Sequence, residues 1–418
     1  IDKYLKDKSK LCFVITQTLF KTQGAGDGFR RFRLGQTGAF FRVDQLDDMV
    51  ELQPFEGATN RTALVLCTKG EKTKYPLPYL LWRKKEKGKV GLDYTFEETY
   101  NATIRHNLKA QPVGGSETSP WMSAKPKALK AIQKVIGKSL YKAWAGSCTW
   151  LNGVYWGAVK PVENGQIKFS NLYDEGKIKI EPVEVEIEAI LVYPLLRGRE
   201  VGRWKSTPNS FIIVSQNPKE RTGYELKWME KNAPKTLVYF NQFKNKLLGR
   251  SGYKKYLNGK PFYSIYNVSD YTFAPFKVVW KALANGSQAV VVASAPVADE
   301  MKVVVPEHNT MFVPFENKDE AHYFCSLINS SIASFVVQGY IALFYSTHIL
   351  DNIRIPKYDP NNEIHQDLTR LSKQCHEKVS AGISVSDLEE QIDELAAELW
   401  GLSKEELKEI KESLKEMQ

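Results

Sequence analysis

The chain has little cysteine, and no two of its five cysteines share the C-x-x-C spacing of a zinc or redox motif. Cys12, Cys67, Cys148, Cys325 and Cys375 are scattered, which excludes a disulfide scaffold and fits reduced thiols in a cytoplasmic protein. No apolar run reaches the roughly 18–20 residues needed to span a bilayer, so no membrane partner is expected, and no signal peptide is visible. The six histidines (His106, His308, His322, His348, His365, His376) lack H-E-x-x-H or other ligand spacing, and no metal is expected. Cys375-His376 stand side by side on a candidate helix, where adjacent positions diverge. Glu225-Leu226-Lys227 is an E-x-K triplet without the aspartate context of a nuclease, and Asp47-Asp48 reads as a solvated turn before a strand. Internal repeats and low-complexity tracts are absent too.

What is present is charge, unevenly placed. The net charge is +10, yet from Ala381 to Gln418 eleven acidic residues face four lysines, so the rest of the chain carries about +17. A basic body with an acidic helical tail suits a polyanion partner. Length allows two or three domains, and 43% apolar residues suffice for real cores.

Along the chain, Leu11-Cys12-Phe13-Val14-Ile15-Thr16 reads as a buried strand. A glycine turn (Gly24, Gly26, Gly28) and a basic helical segment over 29–34 follow. Then come a strand around Met49-Val50-Glu51-Leu52, a turn over 54–60 and a strand over 62–67. Position 29 is Phe, so the glycines fail G-x-G-x-x-G, and the turn is read as a simple feed into a helix. A basic cluster (Arg83, Lys84, Lys85, Lys87) closes this region, and a polar linker lies over 112–120. A helix is expected over 126–137. Beyond Leu140 short strands take over, with hairpin signals at Asn152-Gly153 and Asn164-Gly165 and a strand over 178–192 broken at Pro182. Helix returns over 319–338. In the tail, Ser386 with Glu389 and Ser403 with Glu406 form capping boxes. Gly401 separates a face of Ile392, Leu395, Ala396 and Leu399 from one of Leu407, Ile410 and Leu414.

Residues 239–281 are the most loaded. Eight basic side chains (Lys244, Lys246, Arg250, Lys254, Lys255, Lys260, Lys277, Lys281) stand against one acid, Asp270. Among them are Phe243, Tyr253, Tyr256, Phe262, Tyr263, Tyr266, Tyr271 and Trp280. Basic groups neutralise phosphates and supply affinity without sequence information, whereas Arg250, Asn241, Gln242 and Asn245 could read base edges. Taken one by one, the aromatics are read as core.

Several of these segments resemble the later motifs of amino-group DNA methyltransferases, the TaqI-like adenine-N6 class. Residues 11–67 resemble the close of that family's catalytic sheet. Trp150-Leu151-Asn152-Gly153-Val154-Tyr155-Trp156 resembles the stretch preceding its recognition region. Tyr193-Pro194-Leu195-Leu196-Arg197-Gly198-Arg199-Glu200-Val201 is similar to the opening of target-recognition domains. Lys277-Val278-Val279-Trp280-Lys281, Leu327-Ile328-Asn329-Ser330 and the 398–406 ending resemble later landmarks. The family's (Asn/Asp/Ser)-Pro-Pro-aromatic motif is missing, since no Pro-Pro pair occurs. Ser119-Pro120-Trp121 lacks the second proline, and the acidic residue before a G-x-G cofactor turn is missing too.

The resemblance implies an α/β fold: the C-terminal part of a Rossmann-like methyltransferase sheet, then an α/β target-recognition domain and a C-terminal helical hairpin. Expected divisions are 1–110 (incomplete catalytic part), 111–189 (connecting helix and β-rich segment), 190–357 (target recognition) and 358–418 (helical tail). The implied parent is a site-specific adenine-N6 methyltransferase of a restriction-modification system, transferring methyl from S-adenosyl-L-methionine to a flipped adenine stacked on Phe55. Expected DNA contacts are Arg197, Arg199, Lys244, Lys246, Arg250, Lys254, Lys255 and Lys281. Partners are double-stranded DNA, an N-terminal catalytic half that precedes Ile1, and a restriction endonuclease domain or subunit. No catalytic group and no cofactor site are expected on this chain alone, which should be inactive by itself. The alternative is a non-catalytic specificity subunit that positions separate methylase or nuclease chains.

Overall fold

The computed structural model describes residues 2–417 except 23, 25, 36, 53, 56–60, 87–89, 114–115, 163–165, 177, 283–286 and 341–345. Most of the turn expected over 54–60, the glycines of the 112–120 linker, Lys87 and Asn164-Gly165 lie outside the described residues.

Six strands make the first sheet: β1 (Lys10–Thr16), β2 (Phe41–Asp48), β3 (Thr62–Lys69), β4 (Leu77–Lys84), β5 (Thr103–Pro112) and β6 (Trp121–Ala124), in the order β1-β3-β2-β4-β5-β6. Because β3 is antiparallel to both β1 and β2, those two run parallel with β3 between them. The expected strand at Met49 lies earlier, over Phe41–Asp48. Its polar sequence hides it: Val43 and Leu46 face the core across a bulge, and Asp48 is drawn inward. Asp48 accepts from Gln17 Nε2 at 2.8 Å and from the Tyr79 hydroxyl, so it is a buried group and not a solvated turn. The basic helix expected over 29–34 is a single 3-10 turn, Phe29–Arg31. The sheet also runs on past the hairpin. β4, parallel to β2, leads to β5 and β6, which close the core with Trp121 against Phe20 and Phe32.

A second core is built on the six-stranded sheet of Glu184–Glu188, Gln166–Asn171, Trp156–Pro161, Ser210–Ile213, Val192–Leu196 and Val305–Pro306. Here Asn152-Gly153 opens a helical turn, Asn152–Tyr155, and is no hairpin. The strand expected over 178–192 shrinks to Glu184–Glu188, followed by a 3-10 turn, Ala189–Leu191.

The third core surrounds a four-stranded antiparallel sheet whose middle strand, Phe276–Lys281, buries Val278, Val279 and Trp280. Alternate side chains reach two clusters, so both faces of this strand are covered. Pro126–Ala131 and the 3-10 turn Ile132–Lys134 share out the helix expected over 126–137. The helix expected over 319–338 is two, Lys318–Asn329 and Ser331–Tyr340. Extended Ser330 breaks it, and its hydroxyl accepts the Ala333 N–H at 3.1 Å. In the tail, Ser386–Leu399 and Lys404–Met417 meet at Gly401, whose φ of +67° needs glycine. The Ser403–Glu406 box forms. The Ser386–Glu389 box does not, because Glu389 accepts from Trp204 Nε1 at 2.6 Å and pairs with Arg203. Among the described residues no helix is long and apolar enough to cross a membrane.

Helix Glu363–Ser380 is clamped to the sheet through His376. Its Nε2 accepts the Val291 N–H at 3.0 Å, leaving Nδ1 to donate to the Ser372 carbonyl at 2.7 Å. The His322 ring stands 4.9 Å away, its Nδ1 at 3.1 Å from the Ser372 hydroxyl. Burial pushes His376 down to about 4, and burial with the neighbouring His376, Lys373 and Lys318 pushes His322 down to about 3. Both rings stay neutral in the fold, while the unfolded chain takes protons below about pH 6.5. Stability is therefore full above pH 6.5 and falls as pH drops toward 4. Urea unfolding should show a lower midpoint at pH 5 than at pH 7, with the gap narrowed in His376→Gln. An equal gap in that variant would clear this histidine of the effect.

Candidate nucleic-acid interface

The basic segment folds on the second core. Pro234–Gln242 is a helix with Tyr239 and Phe240 buried, and two short helices, Lys244–Gly249 and Ser251–Tyr256, follow. The third-turn residues Phe243, Leu247 and Tyr253 point inward, and Lys244, Lys246, Lys254, Lys255 and Lys260 are exposed.

Arg250 is the exception, only 3% exposed. Nε donates to the Leu247 carbonyl (2.8 Å), Nη1 to Thr149 (2.8 Å), and Nη2 to Phe262 (2.7 Å) and Ser264 (3.0 Å). Tyr155 and Tyr253 each place a ring 5.5 Å from the guanidinium. A planar fork with five donors is suited to this, and four carbonyls satisfy most of it. Arg250 therefore holds the protein together and offers no free edge to a base.

Arg197, also expected at the DNA, is buried as well. It pairs with Glu200, reaches Glu175 at 3.1 Å and donates to Asn209. Arg199 is exposed and pairs with the same Glu175. Lys244 lies 5.4 Å over the Phe262 ring, Lys255 4.9 Å over Tyr256, and Lys246 pairs with Glu181. Lys281 ends the strand opposite Thr310, half-buried. Lys277 is fully buried, its ammonium donating to the Ala274 carbonyl at 2.8 Å, and burial pushes it down to about 7. Lys244, Lys246, Lys254 and Lys255 thus share one stretch of surface, while Arg197 and Arg250 sit in the interior. Phe55 lies on the β2–β3 connection, 49% exposed, in a different part of the molecule from the lysines.

The glycine turn after β1 is a test of the methyl-donor expectation. Its cradle is already filled. The buried Arg30 guanidinium donates to the carbonyls of Leu19, Thr22 (2.9 Å) and Thr118 (2.6 Å) and pairs with Asp27 at 2.6 Å. Gly26 lies so close to Arg30 and the Leu19 carbonyl that a Cβ would collide with both. This turn does not fit S-adenosyl-L-methionine. Nearby, Lys21 is buried, donating to the Ser123 hydroxyl (2.7 Å) and the Gly339 carbonyl (2.6 Å), and burial pushes it down to about 8. Nothing in the sequence pattern marks this lysine.

The chain matches no model of a known protein family. Over 208 residues it is 26% identical to the type II methyltransferase M.NspV of Nostoc sp. (strain ATCC 29411 / PCC 7524), covering 50% of this chain and 40% of that protein. Its fold is similar to that of the type IIL restriction-modification enzyme MmeI, solved in complex with DNA, at a TM-score of 0.51 and 10% identity. That likeness covers 98% of this chain and 50% of that one. The type IIG restriction endonuclease BpuSI aligns at a TM-score of 0.37 and 14% identity, over 99% of this chain and 47% of that chain. The chain thus spans half or less of the proteins it resembles. The mixed α/β architecture with a helical C-terminal region is similar to that of MmeI, and the methyltransferase resemblance of the sequence has a counterpart in M.NspV.

Arg250 and its lysine neighbours should separate cleanly in stability measurements. Arg250→Ala leaves four carbonyls short of a donor and should cost about 3 kcal/mol or more. Lys254→Glu and Lys255→Glu, on exposed positions, should leave the urea midpoint close to that of the wild type. Equal effects at all three positions would contradict the structural role of Arg250.

Proposed function

We propose that this chain is the DNA-recognising C-terminal portion of a site-specific DNA methyltransferase of a restriction-modification system. The observation that carries this is the acid-free run from Lys231 to Ser269, which presents Lys244, Lys246, Lys254, Lys255 and Lys260 to solvent from one folded segment. Five exposed cations on a rigid scaffold make an electrostatic footprint for duplex DNA, orienting it without reading it. Exposed Asn241, Gln242 and Asn245 on the same helices are the candidates for reading base edges. Arg199, with Glu175 as its resting partner, adds a cation beside the recognition segment, and Lys281 a further one.

The parallel pair β1 and β2 with antiparallel β3 between them supports the methyltransferase side of the reading, as does the likeness to M.NspV. In the whole protein the transferred group would go to adenine N6, with the extruded base against Phe55. S-adenosyl-L-methionine would supply the methyl group in the whole protein. With Arg30 in its glycine turn, this chain is expected to bind DNA without transferring methyl. A separate DNA specificity subunit is the second reading. It draws on that same filled turn, and the β1-β3-β2 arrangement weighs against it.

Titration with duplex DNA at several salt concentrations tests the assignment. The double variant Lys254→Glu/Lys255→Glu should bind more weakly and show a shallower dependence of affinity on salt, since fewer counterions are released. Affinity unchanged across the salt series would remove these lysines from the interface.

A further inference from the structure

Two tyrosines ten residues apart, Tyr256 and Tyr266, meet a tryptophan from about a hundred residues upstream in the segment of the exposed lysines. Trp150, Tyr256 and Tyr266 lie with centroids 6.0 Å (Trp150–Tyr256), 5.6 Å (Trp150–Tyr266) and 5.2 Å (Tyr256–Tyr266) apart, their planes within 12°, 28° and 24°. All three pairs are close to parallel, so the rings form an offset stack and not an edge-to-face core cluster. They remain partly in water. Tyr256 is 51% exposed, Tyr266 38%, and Trp150 is half-buried.

The arrangement is held from beneath at each ring. Trp150 adopts φ +54°, an uncommon conformation for a bulky residue, and its indole rests against Gly252, where a Cβ would collide with it. Tyr266 is tied to the segment just before Trp150 by paired backbone bonds with Cys148, both 2.9 Å. Arg250 fixes all three approaches, bonding Thr149 next to Trp150, Ser264 two residues before Tyr266, and Leu247 ahead of the helix that ends in Tyr256. A strained tryptophan, a glycine contact and a buried arginine thus support a surface that the fold itself leaves uncovered.

We propose that the Trp150–Tyr256–Tyr266 surface stacks an unpaired DNA base, one displaced from the duplex or in a single-stranded stretch. Within a paired duplex the base faces are covered by their neighbours, so ring faces of this kind can engage only a base outside the stack. Charge selects the ligand class. Lys254, Lys255 and Lys260 are exposed in the segment that carries Tyr256, Lys255 lying 4.9 Å over that ring, and the run from Lys231 to Ser269 contains no carboxylate. An aromatic surface on an acid-free, lysine-bearing segment suits a base attached to phosphates and disfavours an acidic peptide. The surface is distinct from Phe55, which belongs to the first sheet. The proposal rests on the DNA-binding reading of this chain.

The test uses the full chain and three DNA probes carrying 2-aminopurine: a single strand, a duplex with the probe base bulged, and a fully paired duplex. Wild-type protein should bind the first two more tightly than the third and change their probe fluorescence. Tyr256→Ala should lose about tenfold in affinity for the bulged and single-stranded probes with little change for the paired one, and Tyr256→Phe should retain binding. Melting temperatures matching wild type establish that these variants fold, and Tyr266→Ala provides an independent second removal. If wild type binds all three probes alike, or if Tyr256→Ala and Tyr266→Ala lose paired and unpaired probes equally, the stacking surface is overturned while DNA binding stands. If no probe binds, both readings fall. Probe-independent self-association abolished by Tyr256→Ala would assign the surface to a second copy of the chain and overturn the proposal.

Discussion

The Arg250 guanidinium is the constraint on which the basic face depends. Carbonyls from three segments converge on it, Leu247 just before it, Phe262 and Ser264 after it, and Thr149 about a hundred residues upstream. Leaving such carbonyls unpaired in the interior is expensive, and one planar cation satisfies four of them at once. The charge sits between two tyrosine rings, whose faces help to offset its desolvation. Phe243, Leu247, Tyr253 and Leu257 are buried in the same segment, and that packing leaves Lys244, Lys246, Lys254 and Lys255 on the outside. Interior order and exterior charge are thus two consequences of one placement.

The first sheet works by a related principle. Arg30 fills the glycine turn after β1 much as Arg250 fills its junction, with carbonyls as acceptors and a single aspartate as counter-charge. Asp48, Gln17 and Tyr79 form a second buried polar group at the end of β2, and Lys21 comes close enough for Asp48 to oppose the lowering of its proton affinity. The Lys21 ammonium also bonds the Gly339 carbonyl, which joins this sheet to the end of helix Ser331–Tyr340 in the third core. The contacts that join the parts, polar like Lys21–Gly339 or apolar like Met122 and Ala124 of β6 in the third core and Leu196 of the second sheet beside Val279, are thus long-range, while the apolar alternation within a strand is local.

This division explains what could be read from the sequence. β1 and β3 were legible as strands because their apolar runs are local, although β1 is a half-exposed edge strand, with Val14 50% exposed, and not the buried strand expected. The faces of the tail helices and the Ser403–Glu406 box, whose partners lie three residues apart, were legible too. β2 was not, because its polar positions are satisfied by Gln17 and Tyr79, which no local pattern reveals. The Ser386–Glu389 box looked equally sound, but Arg203 and Trp204 claim the glutamate from far away in sequence. Arg250 was misread for a sharper reason. Its acceptors are main-chain carbonyls, which every residue carries, so a sequence holds no mark of which arginine they will capture. The aromatics divided in the same way. Tyr253, Tyr263 and Trp280 are core as expected, and Tyr256 and Tyr266 became a surface feature through Trp150, a ring about a hundred residues upstream.

The charged groups expected at DNA consequently fall into two classes with different physics. Arg199–Glu175 and Lys246–Glu181 are solvent-facing pairs, weak and easily screened. A phosphate can replace the carboxylate in either pair at little cost, so these residues remain available to a polyanion. Arg197–Glu200 is buried, and separating it would strand a charge in the interior, so no ligand can recruit that arginine without rebuilding the 197–200 turn. Counting basic residues therefore overstates an interface. What matters is how much of each cation's bonding capacity the fold has left unclaimed, and here that remainder is concentrated in the lysines between 244 and 260.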